Sequence, residues 1–391
     1  MIRVGIDASN IKRGGGVTHL RELLNAAHPH AHGIQRVTVW TNEATAATLP
    51  NKTWLQVAPV PALNKSLLHQ LRWQRFHLPK LAKEECDILF VPGGNNPGRF
   101  HPFVTMSQNI LPFDRVERAR YGLSWMRFRL LLLRMGQART FRWADGMIFL
   151  TATAKKTVEQ ATGPLSNSKV IPHGINPMFR MPPRAQAHLD GNNGTRLFRW
   201  LYVSIVDVYK HQWNVAAGVQ QLLDEGLPVE VEFIGPAYAP ALARLQGQLS
   251  RNKALNSAVH YRGPMAHESL VDAYRAADGF VFASSCENMP IILMEAMAAG
   301  LPIACSNRGP MPEVLRDAGV YFDPESPWDI ARAMKELMLD REMRAEWAAR
   351  AYEYAKEYTW DGCARETFSF LAEVAAMSGA CRSKAAKRCA A

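Results

Sequence analysis

Short apolar runs ending in turn residues alternate with amphipathic stretches along almost the whole chain, and the alternation restarts once. The first block holds RVGIDAS, RVTVWT, DILFVPG, FVTMSQ, GMIFLT and SKVIPHG, with helical-period text such as VTHLRELLNAA between them. The second holds FRWLYVSIV, VEVEFIG, AVHYRG, GFVFASS, LPIACSN and GVYFDP, interleaved with segments such as NVAAGVQQLLDEG and SPWDIARAMKELMLD. Strands that alternate with helices imply parallel sheets covered on both faces. The break falls in RMPPRAQAHLDGNNGT, rich in Pro, Gly and Asn. Two α/β domains therefore follow, with ligands expected outside the carboxyl ends of the strands.

The boundaries read as a first α/β domain over 1–182, a linker over 183–195 and a second α/β domain over 196–362. Residues 363–391 read as a C-terminal helix able to pack back on the first domain, followed by a basic, frayed tail in AAMSGACRSKAAKRCAA. At 391 residues each domain is large enough to bury its own core. The start, MIRVGIDASN, reads as a first strand and not as a signal peptide. The leucine run Leu130–Leu133 is closed by Arg129 and Arg134, so a spanning helix is not expected. Six cysteines are scattered without a CxxC pair, which argues for a reducing cytoplasm and against a zinc or disulfide framework. The tract HPHAH (His28, His30, His32) reads as a solvated loop at a helix end.

The net charge of +11 suits nucleic acid, an anionic membrane or phosphorylated ligands. No RNP, zinc-finger or helix-turn-helix signature is present, which sets nucleic acid aside. From Arg115 to Trp143, arginines interleave with Trp125, Phe128, Leu130–Leu133, Phe141 and Trp143. Such a basic helix can lie on an anionic bilayer surface, and SLLHQLRWQRFHLPKLAK has a similar character. The alternative is a core helix whose arginines face solvent.

Three constellations carry chemistry. Gly14–Gly16 follows the first strand and opens a helix, so the amides of Gly15 and Gly16 can approach a phosphate or sugar. It is not the dinucleotide fingerprint, whose last glycine would stand where His19 does. In CENMPIILMEAMAAG, Glu287 sits in a loop after a strand, and Pro290 fits the first turn of the next helix with Asn288 as cap. Glu295 then falls about 7–8 Å along that helix. Two carboxylates bracket a helix N-terminus that favours an anion, which is the layout of a nucleoside diphosphate sugar. Lys210, after the strand in YVSIVDVYKH, can neutralise the diphosphate as it leaves.

With these residues in view, the run from Val281 to Pro324 resembles the donor-site signature of retaining GT-B glycosyltransferases, glycosyltransferase family 4 (glycosyl transferases group 1). The matching pieces are SSCENMP, the pair Glu287 and Glu295 as E-x7-E, EAMAAGLPIACS, GPMPEV and GVYFDP. GGGVTHL, VIPHGIN and VSIVDVYKH are similar too, in the family's order. The resemblance implies a GT-B fold, with two Rossmann-like α/β domains whose parallel sheets face a central cleft. It also implies a metal-independent, cofactor-free reaction with retention at the anomeric carbon. Glu287 would contact the transferred sugar and Glu295 the ribose. The backbone at Asn288 and Met289, running on through Pro290 and Ile291, would hold sugar and phosphate. Lys210 would stabilise the leaving diphosphate, whose oxygen takes the acceptor's proton.

Two departures stand out. Ser204 and Ile205 replace the Gly-Arg of many members, which removes a cation. Gln108 and Asn109 replace a His-Asp, and Asn109 is carried over as the third catalytic candidate. The expected function is transfer of a hexose, mannose first, from a GDP- or UDP-linked donor to a saccharide acceptor. That acceptor would be lipid-linked, in polysaccharide or lipopolysaccharide synthesis, on the cytoplasmic side and peripheral to the membrane. The alternatives are a GT-B nucleotide-sugar epimerase and a non-catalytic nucleotide-binding scaffold subunit.

Overall fold

The computed structural model describes residues 1–12, 14–189 and 196–389. It divides into two compact units. The first comprises 1–113, 125–174 and 359–391. Its strands are β1 (Ile2–Asp7), β2 (Ile34–Thr41), β3 (Leu55–Pro59), β4 (Ile88–Val91), β5 (Phe103–Met106), β6 (Gly146–Phe149) and β7 (Ser168–Val170). They form one parallel sheet in the order β3-β2-β1-β4-β5-β6-β7. The second unit comprises 114–124 and 175–358. Its strands β8 (Phe198–Val203), β9 (Val229–Ile234), β10 (Val259–Tyr261), β11 (Gly279–Phe282), β12 (Ile303–Ser306) and β13 (Val320–Phe322) run β10-β9-β8-β11-β12-β13, again all parallel. This is the two-domain GT-B class.

Strands β4, β5, β6, β11 and β12 are buried along their whole length, as helices on both sheet faces require. That is why they read as continuous apolar runs. Strand β3 escaped the sequence reading because it is a half-exposed edge strand ending at Pro59, with little apolar pattern to show. Each sheet reverses its strand order beside its first strand, and ligand crevices form at that reversal.

Three expectations about organisation need correction. The chain passes between units at 113/114, 124/125, 174/175 and 358/359, not in the stretch 183–195. Residues 175–189 are bound into the second unit: Met181 N–H donates to Ala298 O (2.9 Å), and Arg344 Nη2 donates to Ala187 O (2.7 Å). Buried Arg344 also bonds the carbonyls of Leu337 and Met338, at the end of the helix Pro327–Leu339. A Pro-rich segment reads as a linker, yet its Ala187 carbonyl is satisfied by a side chain 157 residues away, which no local pattern reveals. Residues 190–195 of the expected linker lie outside the described residues.

The basic segment Arg115–Trp143 is two helices, Arg115–Ala119 and Trp125–Trp143, parted by Gly122 in the left-handed region at φ 57°. The short one belongs to the second unit, where Arg120 bonds Glu325 (2.6 and 3.1 Å) and Tyr121 Oη donates to Asp207 Oδ1 (3.0 Å). The tail read as frayed continues the helix Trp360–Cys389, whose Phe368, Phe370, Leu371 and Val374 are buried in the first unit. The HPHAH tract forms a short 3₁₀ turn, Pro29–His32, with His28 and His30 exposed.

Candidate functional site

Strands β8 and β11 are neighbours where the second sheet reverses, with Leu201 opposite Phe280. Parallel strands send their following loops to the same edge, so the chain to Lys210 and the chain to Glu287 emerge side by side. Strand β11 ends at Phe282, and Ala283–Cys286 lead to Glu287. The loops are tied together: Ser285 N–H donates to Tyr209 O (2.8 Å), and His211 Nε2 lies 3.0 Å from Ser285 Oγ. Tyr202 Oη donates to the Lys210 carbonyl (2.7 Å), fixing the lysine's backbone.

The Lys210 ammonium forms an ion pair with Glu287 Oε1. Lys210 is only 5% exposed and lies over the Phe282 and Tyr209 rings at 5.2 and 5.1 Å. Two charges so far from water attract strongly but lose most of their hydration, so the pair survives only with its partners in place. The field around it is consistent. Burial first, then the charge of Glu287, pushes the Tyr202 and Tyr209 hydroxyls well above their ordinary range. His211 is held down to about 4, by burial first and then by the charge of Arg120, so it is neutral near pH 7. Ile205, where the resemblance implies an arginine, is half-buried; Arg120 is already committed to Glu117 (2.7 Å) and Glu325.

Glu287 leads through Asn288 and Met289, both buried, to the helix Ile291–Ala298. Asn288 does not cap that helix. Pro290 holds the cap position with no side-chain bond to the first turn, because its ring fixes the chain one residue before the first helical turn. Glu295 lies within this helix at 2% exposure. His267 Nε2 stands 3.0 Å from its Oε1, and Tyr274 Oη donates to its Oε2 (3.1 Å). Phe179 meets the His267 and Tyr274 rings edge-on at 4.9 and 5.4 Å. Burial first, then the Glu295 charge, drives the Tyr274 hydroxyl up. His267, Tyr274 and Phe179 went unnoticed in the sequence: Tyr274 reads as a core aromatic on its helix, and His267 and Phe179 lie in turns that carry no period.

The remaining candidates lie in the first unit. Gly14, at φ 68°, stands before the helix Gly15–Asn25. A Cβ on Gly16 would come within 3.2 Å of Gln108 Oε1, whereas Gly15 faces open space. Asn109 is exposed, and its Oδ1 accepts the Leu111 N–H (3.0 Å) in a local turn. Gln108, not Asn109, therefore faces the glycine loop, because an Asn two residues before a free amide closes on its own backbone.

Residues 200–354 match the family described as Glycosyl transferases group 1. The O-antigen chain mannosyltransferase B of Escherichia coli is 33% identical over 111 residues, 28% of this chain and 29% of that protein. The alignment thus spans under a third of that curated relative. Sucrose-phosphate synthase from Thermosynechococcus elongatus superposes with a TM-score of 0.74 at 18% identity, over 94% of this chain and 97% of that one. Anabaena HepE in complex with UDP and glucose gives a TM-score of 0.67 at 18% identity, over 94% and 97% of the two chains. The match over residues 200–354 contains Lys210, Glu287 and Glu295 and makes that part of the chain similar to the glycosyl transferases group 1 family, and the fold of the chain is GT-B.

Proposed function

We propose that this chain is a retaining, metal-independent glycosyltransferase that moves a hexose from a nucleoside diphosphate sugar to a saccharide acceptor. The observation that carries the reading is the part-buried Lys210–Glu287 pair at the β8/β11 edge, one short loop before the helix that holds Glu295. Without donor, the two charges neutralise each other. With donor bound, the Lys210 ammonium turns to the diphosphate oxygens, and Glu287 accepts hydrogen bonds from sugar hydroxyls. The uncapped start of the helix Ile291–Ala298 adds its positive end to the same anion. Glu295, oriented by His267 and Tyr274, takes the ribose hydroxyls.

The bond from the anomeric carbon to the diphosphate oxygen breaks, and the acceptor oxygen bonds that carbon on the same face. The acceptor's proton passes to the departing diphosphate oxygen. Negative charge that builds on the diphosphate meets Lys210, which is where its stabilisation counts most. GDP or UDP serves as the nucleotide. That HepE was seen with UDP and glucose, and that the Escherichia coli relative is a mannosyltransferase, supports a hexose. A panel of UDP, GDP, ADP and dTDP in thermal-shift assays tests this. One nucleotide at a hundred times its Kd stabilises by about 2.7 kcal/mol, and Glu295→Gln weakens that gain. No shift with any nucleotide would favour the non-catalytic scaffold.

The acceptor is lipid-linked and met at an anionic membrane surface, in polysaccharide or lipopolysaccharide synthesis. Support comes from the helix Trp125–Trp143, where Trp125, Phe128, Leu132 and Met135 are 75%, 49%, 50% and 70% exposed among exposed arginines. Arg139 stacks on Trp143 at 4.1 Å along the same helix. Leu67, Leu68 and Phe76 are a second exposed apolar set beside Arg75. Among the described residues no helix is long and apolar enough to cross a membrane. The protein is expected to co-sediment with anionic vesicles at low salt, and less as salt rises. Replacing Phe128, Leu132 and Met135 by Ser abolishes that binding, while equal binding of the variant removes the surface from the proposal.

A further inference from the structure

Far apart in sequence, His19, His173 and Cys363 meet inside the first unit. His19 lies on the helix Gly15–Asn25, His173 in the loop after β7, and Cys363 near the start of the helix Trp360–Cys389. All three side chains are buried, and their ligand atoms lie within 4.8 Å of one another. Among the described residues this is the one group of three such side chains. The imidazole rings meet edge-on with centroids 4.4 Å apart. Trp360 covers both rings at 5.9 and 5.6 Å, and its backbone presses so closely on Gly174 that a Cβ there would meet Trp360 N at 2.2 Å.

The hydrogen bonding of His19 points to a missing partner. Its Nδ1 stands 3.4 Å from Gln108 Nε2, but its Nε2 is buried and unpartnered. A buried ring nitrogen left so loses its hydration without return unless something occupies the site. We propose that His19, His173 and Cys363 bind one divalent cation of the Zn²⁺ class, clasping the N-terminal helix, the β7 loop and the C-terminal helix together. Two imidazoles and a thiolate match a borderline-soft ion, not Mg²⁺ or Ca²⁺, which take oxygen. Around a tetrahedral ion such atoms stand about 3.3–3.7 Å apart, so side-chain rotations of about 1 Å close the group. Burial holds His19 down to about 3 and His173 well below its ordinary value, which keeps both rings neutral and able to ligate. It pushes the Cys363 thiol up to about 12, so the ion forms its bond to sulfur as the thiol proton leaves to solvent. The ion takes no part in sugar transfer.

The test uses the full chain, free of any tag and purified without chelator. About one equivalent of zinc is expected by elemental mass spectrometry. After zinc removal, Co²⁺ at micromolar concentration is expected to give a thiolate-to-cobalt charge-transfer band. Replacing His28, His30 and His32 together by Ala, or Cys381 and Cys389 together by Ser, leaves the band in place. Cys363→Ser abolishes it, and His19→Ala weakens Co²⁺ binding at least tenfold. Wild-type protein with neither zinc nor band overturns the proposal, as does metal that disappears only with the exposed histidines or the tail cysteines. Should Cys363→Ser fail to fold, the wild-type band and its persistence in the two multiple variants decide the matter.

Discussion

Lys210→Ala is expected to lower turnover by roughly 10²–10³, about 2.7–4 kcal/mol of transition-state stabilisation. Glu287→Ala should fall in the same range, and the double variant should be little worse than either, since the two side chains act as a unit. The single variants also leave one buried charge without its partner, so part of the loss could be lost folding. The double replacement Lys210→Met with Glu287→Gln separates the two effects. It removes both charges and should recover stability in a urea melt while staying inactive in a donor-hydrolysis or transfer assay. Recovery of activity along with stability would show that Lys210 serves only the fold. Near-normal turnover in both single variants would remove this pair from the reaction.

Gly235→Ala carries the largest expected stability effect. Gly235 follows β9 at φ 147°, and a Cβ there would stand 2.1 Å from the Ser204 carbonyl oxygen. Its N–H donates to Gly263 O (2.9 Å), and its carbonyl accepts from Tyr261 Oη (2.9 Å), so the backbone has no room to retreat. Strain and collision together should cost about 4 kcal/mol. The second unit should then melt roughly 10 °C lower, read by differential scanning calorimetry. Because Ser204 begins the loop to Lys210, nucleotide binding should weaken in the same variant. An unchanged melting temperature would mean that the β8 and β9 loops are not packed as described.

Strand identity was legible wherever both sheet faces are covered, because buried parallel strands leave long apolar runs in the text. Edge strand β3 left none. The candidate site was legible in part: Lys210 and Glu287 each follow a readable strand, and spacing puts Glu295 on the next helix. Spacing could not show that His267 and Tyr274 hold the two oxygens of Glu295, or that Pro290 and not Asn288 stands at the helix cap. Nor could it tell Gln108 from Asn109, because whether an amide turns outward or closes on its own backbone depends on local torsions.

Period and turn chemistry are local properties, so the sequence by itself determined two parallel α/β sheets and which loops carry the charged residues. Strand order brings the β8 and β11 loops together, and only at that point do Lys210 and Glu287 become a part-buried pair. The tertiary structure alone decided that 114–124 joins the second unit. It alone brought together His19, His173 and Cys363. Contacts between residues hundreds of positions apart depend on shape and burial across elements, and no periodicity within one element encodes them.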